Sequence, residues 1–261
     1  MKRILILGGS GFIGTNFINY VSKKNYKIIN VDKISNISTP EKFKKIYDKK
    51  KYKLIKYGLS DSKKIFNIIN KFQPNYIVNF AAESHVDRSI NDPIYFIKNN
   101  INSATNLFHA YLKYYKKKKI KLFHISTDEV YGSILKGEFK ENDPYNPSSP
   151  YSASKGSADL IATSFNKTYG TKIKILNLTN NYGPYQFPEK FIPTLISYFL
   201  KNKKAPIYGK GTNVREWMYV DDSCNAILKS VVSKNNFEKM NIGSGVRISN
   251  LEIAKTVFKI M

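Results

Sequence analysis

Cysteine, histidine and arginine are scarce in this chain, and each scarcity excludes something. A single cysteine, Cys224, rules out an internal disulfide, fits a reducing compartment such as the cytoplasm, and reads as buried filler. The three histidines, His85, His109 and His124, are scattered without metal-ligand spacing, so no metal is expected. No apolar run approaches the ~18 residues of a membrane span, so no membrane partner is expected. The opening "MKRILILGGSGFIG" begins basic, but its apolar run stops at Gly8, too short for a signal peptide. Acidic residues are also few, 19 against 43 basic ones, which leaves a net charge of +24. That balance permits a nucleic-acid partner. Yet only four of the 43 are arginines (Arg3, Arg88, Arg215, Arg247), the residue suited to bidentate recognition of phosphates and bases. The lysines are spread along the chain, as in "DKKKYK" and "YYKKKKIK". A nucleic-acid role is therefore not expected, although the positive field attracts polyanionic small ligands.

What is present is a regular alternation over the first half. "RILIL" (3–7), "KIINV" (27–31), "YKLIKY" (52–57), "NYIVNFAA" (75–82) and "IKLFHIS" (120–126) read as buried strands. Between them lie helical patterns at 11–24, at 61–72 behind a capping aspartate, and at 92–119 with proline near its start and lysines at its end. This predicts an α/β fold, a doubly wound parallel sheet of Rossmann type with helices on both faces. Further on, 149–170 reads as a helix ending at Gly170, "KIKILNLT" (172–179) as a strand, and the turn-rich "NNYGPYQFPEKFIP" (180–193) as a loop over a site. The organisation expected is a dinucleotide-binding domain over 1–180 and a smaller substrate lobe over 181–261.

Three patterns carry chemistry. Gly8, Gly11 and Gly14 in "GGSGFIG" follow a strand and open a helix, where glycines let a backbone approach a pyrophosphate. Asp32 closes the second strand 24 residues after Gly8, placed to accept from ribose hydroxyls and to repel a 2′-phosphate, which favours NAD over NADP. Tyr151 and Lys155 in "YSASK" share a helix face, and an ammonium near a phenol is expected to lower its pKa and make it a base. In "STDEV" (126–130) a hydroxyl and two adjacent carboxylates, Thr127, Asp128 and Glu129, stand at a strand end.

With "AAESHVDRSI" (81–90), "STDEVYG" (126–132), "PYSASK" (150–155), "NNYGPYQFPEKFIP" and "NVREWMYVDD" (213–222), the chain resembles the extended short-chain dehydrogenase/reductases and, within them, the dTDP-glucose 4,6-dehydratases. The resemblance implies an NAD-dependent lyase that oxidises the glucose unit at C4, eliminates water across C5 and C6, and returns the hydride to C6. Tyr151 would then be the C4 base, Thr127 its partner on the C4 oxygen, Glu129 the base at C5 and Asp128 the acid at the C6 hydroxyl. Asp128 is therefore expected to be the carboxyl with the raised pKa. Cofactor contacts are implied for Phe12, Ile13, Asp32, Lys33, Ala81, Ala82, Tyr151, Lys155 and Asn180. Sugar-nucleotide contacts are implied for Ser84, Thr127, Asn181, Lys190, Phe191, Pro206, Ile207, Tyr208, Arg215 and Asn241, with Arg215 as a clamp on the diphosphate. For Trp217 and Tyr219, alternate residues on a strand, packing is the expectation. A homodimer through a four-helix contact of 92–116 and 150–169 is implied as well. Gly58 and Asn99 stand where the family usually carries aspartate and threonine. The family also usually continues beyond this chain's end, through an Arg-Pro-Gly-His-Asp stretch, so a C-terminally shortened lobe is expected.

Overall fold

Alternate residues on the central strands are apolar on both sides, so each strand serves two cores. Leu5, Leu7, Ile77 and Leu122 belong to one buried cluster, and their neighbours Ile4, Ile6, Val78 and Phe123 to the other. Burying one such side chain stabilises by about 1.5–3 kcal/mol, and only a sheet covered on both faces gains this from every residue. The structure, a computed structural model, describes residues 1–35, 38–39, 50–134, 136–207 and 209–261.

In chain order the described strands are β1 (Lys2–Leu7), β2 (Tyr26–Asp32), β3 (Tyr52–Lys56), β4 (Tyr76–Asn79), β5 (Lys121–Thr127), β6 (Ile173–Leu178), β7 (Asn180–Tyr182), β8 (Val214–Tyr219), β9 (Lys239–Ile242) and β10 (Arg247–Ser249). The helices are α1 (Phe12–Ser22), α2 (Ser62–Phe72), α3 (Val86–Asn91), α4 (Pro93–Tyr115), α5 (Pro150–Tyr169), α6 (Phe191–Leu200), α7 (Val220–Val232) and α8 (Asn250–Ile260). A parallel sheet runs β3-β2-β1-β4-β5-β6-β9, and a small mixed sheet runs β10-β8-β7. Strand order reverses between β1 and β4, which opens a crevice at their carboxyl ends.

The first half follows the predicted alternation closely. Asp61 caps α2 by accepting from the Lys63 amide at 2.7 Å, and Gly170 ends α5 at φ 62°. Two expectations change. The helix predicted over 92–119 ends at Tyr115, and a separate short α3 precedes it; Asp92 closes α3 and caps α4 by accepting from the Tyr95 amide at 3.1 Å. The turn-rich 180–193 contains a real strand, β7, held in parallel against β8. Beyond residue 180 the chain returns to the sheet. β9 extends it beside β6, and Val220, Cys224, Ile227, Leu228 and Val231 of α7 pack into the same cluster as Phe17, Ile18 and Val21 of α1. Cys224 is buried there, as its filler reading required.

Candidate active site

The crevice is a cavity of about 910 Å³, lined among others by Gly8, Gly11, Phe12, Ile13, Gly14, Asp32, Lys33, Ala81, Ala82, Ser84, Tyr151, Lys155 and Lys190. Its glycines are there for two different reasons. Gly8 sits at φ +71°, and a Cβ would come within 2.5 Å of the Ala81 backbone, so the fold itself requires glycine. At Gly11 a Cβ would meet nothing closer than the Gly8 carbonyl at 3.5 Å, so packing does not require glycine there. Gly11 is also the N-cap of α1, and no side chain caps that end. An uncapped helix N-terminus facing a cavity beside an unforced glycine fits a pyrophosphate. Asp32 is held at the mouth by two backbone donors, Ser10 to Oδ2 at 2.9 Å and Ile34 to Oδ1 at 2.8 Å. Its remaining lone pairs are placed to accept from ribose hydroxyls. Gly11→Ala is expected to fold normally but lose NAD affinity roughly tenfold or more, whereas Gly8→Ala is expected to lower stability by about 1–3 kcal/mol. Calorimetric NAD titration beside thermal melts separates the two; equal behaviour of the variants would refute the distinction.

The second group gathers where β5 ends. Asp128–Tyr131 form a 3-10 turn capped by the Thr127 hydroxyl, which accepts from the Glu129 amide at 3.3 Å and donates to Asp128 Oδ1 at 3.3 Å. Ser149 caps α5 in a reciprocal box with Ser152, and the Tyr151 amide donates to Ser89 Oγ of α3 at 3.1 Å. This sets the Tyr151 hydroxyl beside Thr127 and within the field of Glu129 and Asp128. Burial, then the neighbouring Glu129, push the Asp128 carboxyl up to about 7. Burial also raises Glu129, but the charges of Arg215 and Lys190 oppose it. Of the two carboxyls, only Glu129 has cationic neighbours among the described residues that oppose its rise.

One expectation about the tyrosine is reversed. Its phenol is raised, not lowered, first by burial and then by the negative charges of Glu129 and Asp128. Lys155 does not relieve it, because Lys155 Nζ donates to the Ile125 carbonyl at 2.7 Å and its charge faces Asp159.

The remaining predicted residues divide. Ser84 and Lys190 reach the cavity, joined by Lys190 Nζ donating to the Ser84 carbonyl at 2.9 Å. Arg215, exposed on β8, places its charge near Glu129, so it stands on the carboxylate side. Asn181 is buried outside the cavity lining, its Nδ2 donating to the Thr179 carbonyl at 2.9 Å while its buried Oδ1 has no partner among the described residues. Asn180, Phe191, Pro206 and Ile207 lie outside the cavity lining, and Tyr208 lies outside the described residues. Asn241 is turned to another task. Its Oδ1 accepts from Tyr131 at 3.0 Å and its Nδ2 donates to the Phe139 carbonyl at 3.2 Å, so it orders the 137–146 loop. Trp217 packs against Phe191 and Tyr219 against Tyr182, as expected of strand residues.

A family model described as GDP-mannose 4,6 dehydratase matches residues 5–261. The dTDP-glucose 4,6-dehydratase of Salmonella typhimurium is 39% identical over 98% of this chain and 75% of its own length. The crystal structure of the Bacillus anthracis dTDP-glucose 4,6-dehydratase in complex with NAD superposes with a TM-score of 0.89 at 39% identity, covering 100% of this chain and 81% of that one. The chain belongs to the dTDP-glucose 4,6-dehydratase family. The Streptomyces venezuelae member, also solved with NAD bound, gives a TM-score of 0.91 at 33% identity over 98% of this chain and 80% of its own.

The departures from the dehydratase family pattern have visible surroundings. Gly58 lines the cavity near Lys33, and Asn99 donates to Glu83 Oε1 at 3.4 Å. Glu83 also accepts from Lys33 and from the Tyr95 hydroxyl, so it organises the rim near Asp32. Residues that sequence reasoning missed lie mostly in motifs it had quoted for the dehydratase resemblance. Glu189 of the 180–193 segment pairs with Arg88 at 2.7 Å and His85 at 3.1 Å, strapping that segment to "SHVDRS" across the mouth. Each was visible as a charge in a quoted stretch, but nothing in linear sequence says that the two stretches meet.

Proposed function

We propose that this chain is an NAD-dependent dTDP-glucose 4,6-dehydratase, converting the sugar nucleotide to its 4-keto-6-deoxy product. The observation that carries this reading is the meeting of Tyr151, Thr127, Asp128 and Glu129 at the end of β5, beside a cavity built for a dinucleotide. NAD, held by the Gly8–Gly14 turn and Asp32, would supply a hydride acceptor for C4 and donor for C6, and a positive charge opposing the carboxylates' hold on the phenol. Tyr151 Oη takes the C4 hydroxyl proton while Thr127 Oγ1 holds the C4 oxygen. The C4 ketone acidifies C5, and Glu129 removes that proton. Asp128 donates its proton to the C6 hydroxyl, which leaves as water. Glu129 returns its proton to C5, and exchange with solvent removes the extra proton from Tyr151 and restores the one lost by Asp128. Ser84, Asn181, Lys190 and Arg215 are assigned to the sugar nucleotide, with Arg215 and Lys190 suited to its diphosphate. The test is incubation with dTDP-glucose and detection of an alkali-absorbing keto sugar; accumulation of the galactose isomer instead would assign an epimerase.

We place the enzyme in the cytoplasm on its lone buried cysteine; no helix among the described residues is long and apolar enough to cross a membrane. We assign the substrate lobe to residues after 180, less α7 and β9. We further propose a homodimer in which α4 and α5 pair with their copies. Ile94 at 64%, Ile97 at 41% and Leu160 at 62% exposure leave large apolar side chains bare on these two helices. Leu160→Glu is expected to shift the protein from dimer to monomer in sedimentation analysis, and an unchanged sedimentation coefficient would remove this surface from the interface.

A further inference from the structure

Asp159 lies one helical turn beyond Lys155 and two beyond Tyr151 on α5, so the three share a face. A carboxylate on the buried side of a helix is unusual, since charged side chains are seldom buried without partners. Asp159 is 0% exposed and Lys155 4%. Asp159 Oδ2 accepts from Ser126 Oγ at 2.6 Å and from the Tyr145 hydroxyl at 3.2 Å. Asp159 Oδ1 faces His124 Nε2 at 3.6 Å, and neither atom has another partner among the described residues.

The histidine's protonation follows from its other nitrogen. Asn79 Oδ1 accepts from the Ala81 amide at 3.1 Å, which fixes the amide orientation and leaves Nδ2 to donate to His124 Nδ1 at 3.0 Å. With Nδ1 an acceptor, the ring's proton is on Nε2, aimed at Asp159. Burial and the Lys155 charge keep the imidazole neutral. The carboxylate therefore receives two donors, Ser126 and Tyr145, while the His124 N–H faces its other oxygen at 3.6 Å, beyond hydrogen-bond reach. Other charged or titratable groups facing this cluster are Lys239 of β9, whose ammonium lies 4.3 Å from the Tyr145 ring centre, and Tyr131 of the 3-10 turn. Hydrogen bonds thus run beneath the cavity from the Ala81 amide through Asn79 to His124, whose Nε2–H is turned toward Asp159.

We propose that Asp159 is a positioning residue for the reaction: held by Ser126 and Tyr145 one helical turn from Lys155, it places a buried negative charge opposite the Lys155 ammonium under the cavity. The inference rests on the dehydratase reading of the site. Among the neighbours acting on Lys155, burial lowers its pKa and Asp159 is what raises it. Burial in turn raises the Asp159 carboxyl, and Lys155 foremost, then Ser126 and Tyr145, draw it back.

The test follows kcat/KM for keto-sugar formation against pH, and in parallel calorimetric NAD affinity against pH, in the full chain. Asp159→Asn conserves the shape and two of the hydrogen bonds. It is expected to move the alkaline limb of the NAD-affinity profile, which Asp128 does not set, down by about one unit or more. A proportional loss at every pH, with limbs unmoved, would overturn the proposal, because a merely structural residue gives that result. A second variant covers the case in which Asp159→Asn does not fold. Tyr145→Phe removes one donor and leaves the charge, so the acid limb is expected to rise by roughly half a unit while the alkaline limb holds; a stationary acid limb would overturn it equally. If the NAD profile shifts while the unmodified chain makes no keto sugar, the dehydratase reading fails and the role of Asp159 stands. If keto sugar forms normally and neither profile shifts, the reverse holds.

Discussion

Tyr151→Phe is expected to lower keto-sugar formation by on the order of a thousandfold, the usual weight of a positioned general base. NAD should still bind, because the glycine turn, Asp32 and the α1 N-terminus are untouched. The fold should also hold. The Thr127 hydroxyl keeps its contacts with Asp128 Oδ1 and the Glu129 amide, so no buried donor is orphaned by the change. The effect should appear in kcat rather than KM, since the phenol acts on a proton that moves only in the reaction. The phenol is also held up by burial and by two carboxylates, so in the free chain it is a poor base. A positive charge brought by the cofactor is what reverses this, and the alkaline rise of activity should therefore lie at lower pH with NAD saturating than with NAD limiting. Turnover of Tyr151→Phe within tenfold of the unmodified chain would take the base role away from this residue.

Sequence reasoning saw the sheet and the cofactor cradle clearly because both are written locally. Alternation of buried runs with amphipathic helices places β1 to β6, and the glycine turn with Asp32 needs only two successive strands. The Tyr151–Lys155 pair is also local, one turn of helix. What escaped depends on distant segments meeting. β9 joins the parallel sheet beside β6 from a stretch that resembles the outer lobe in composition. Glu189 finds Arg88 only because the 180–193 segment folds back over α3. Asp159 carries no local mark of burial, and only its four-residue spacing from Lys155 signals the shared helix face. The sign of the Tyr151 shift was misjudged for the same reason: the lysine was read as the tyrosine's neighbour along the helix, whereas its charge is answered by Asp159 and its proton by the Ile125 carbonyl.

The adjacent carboxylates make the sharpest division of labour, and Asp128→Asn isolates it. The asparagine cannot donate a proton to the C6 hydroxyl, so elimination is expected to slow by roughly a hundredfold or more. Oxidation at C4 does not use this group. Reduced nicotinamide should therefore accumulate during turnover, which absorbance reports directly. In the unmodified chain the acid must be protonated, and its carboxyl sits up near 7, so elimination should decline as pH rises through that value. Stability follows with the same sign. A folded-state pKa raised from 3.8 to about 7 makes the unfolded chain bind fewer protons between those values, so native stability is lost as pH rises through the window. Above it the folded protein carries the full cost of a buried charge. At pH near 8 the asparagine variant is thus expected to be more stable by about 4 kcal/mol at most, with the advantage vanishing toward pH 4. A variant that is slower yet no more stable at high pH would mean that Asp128 is not the strained partner of the pair. In that case Glu129, whose charge is compensated by Arg215 and Lys190, would have to exchange roles with it.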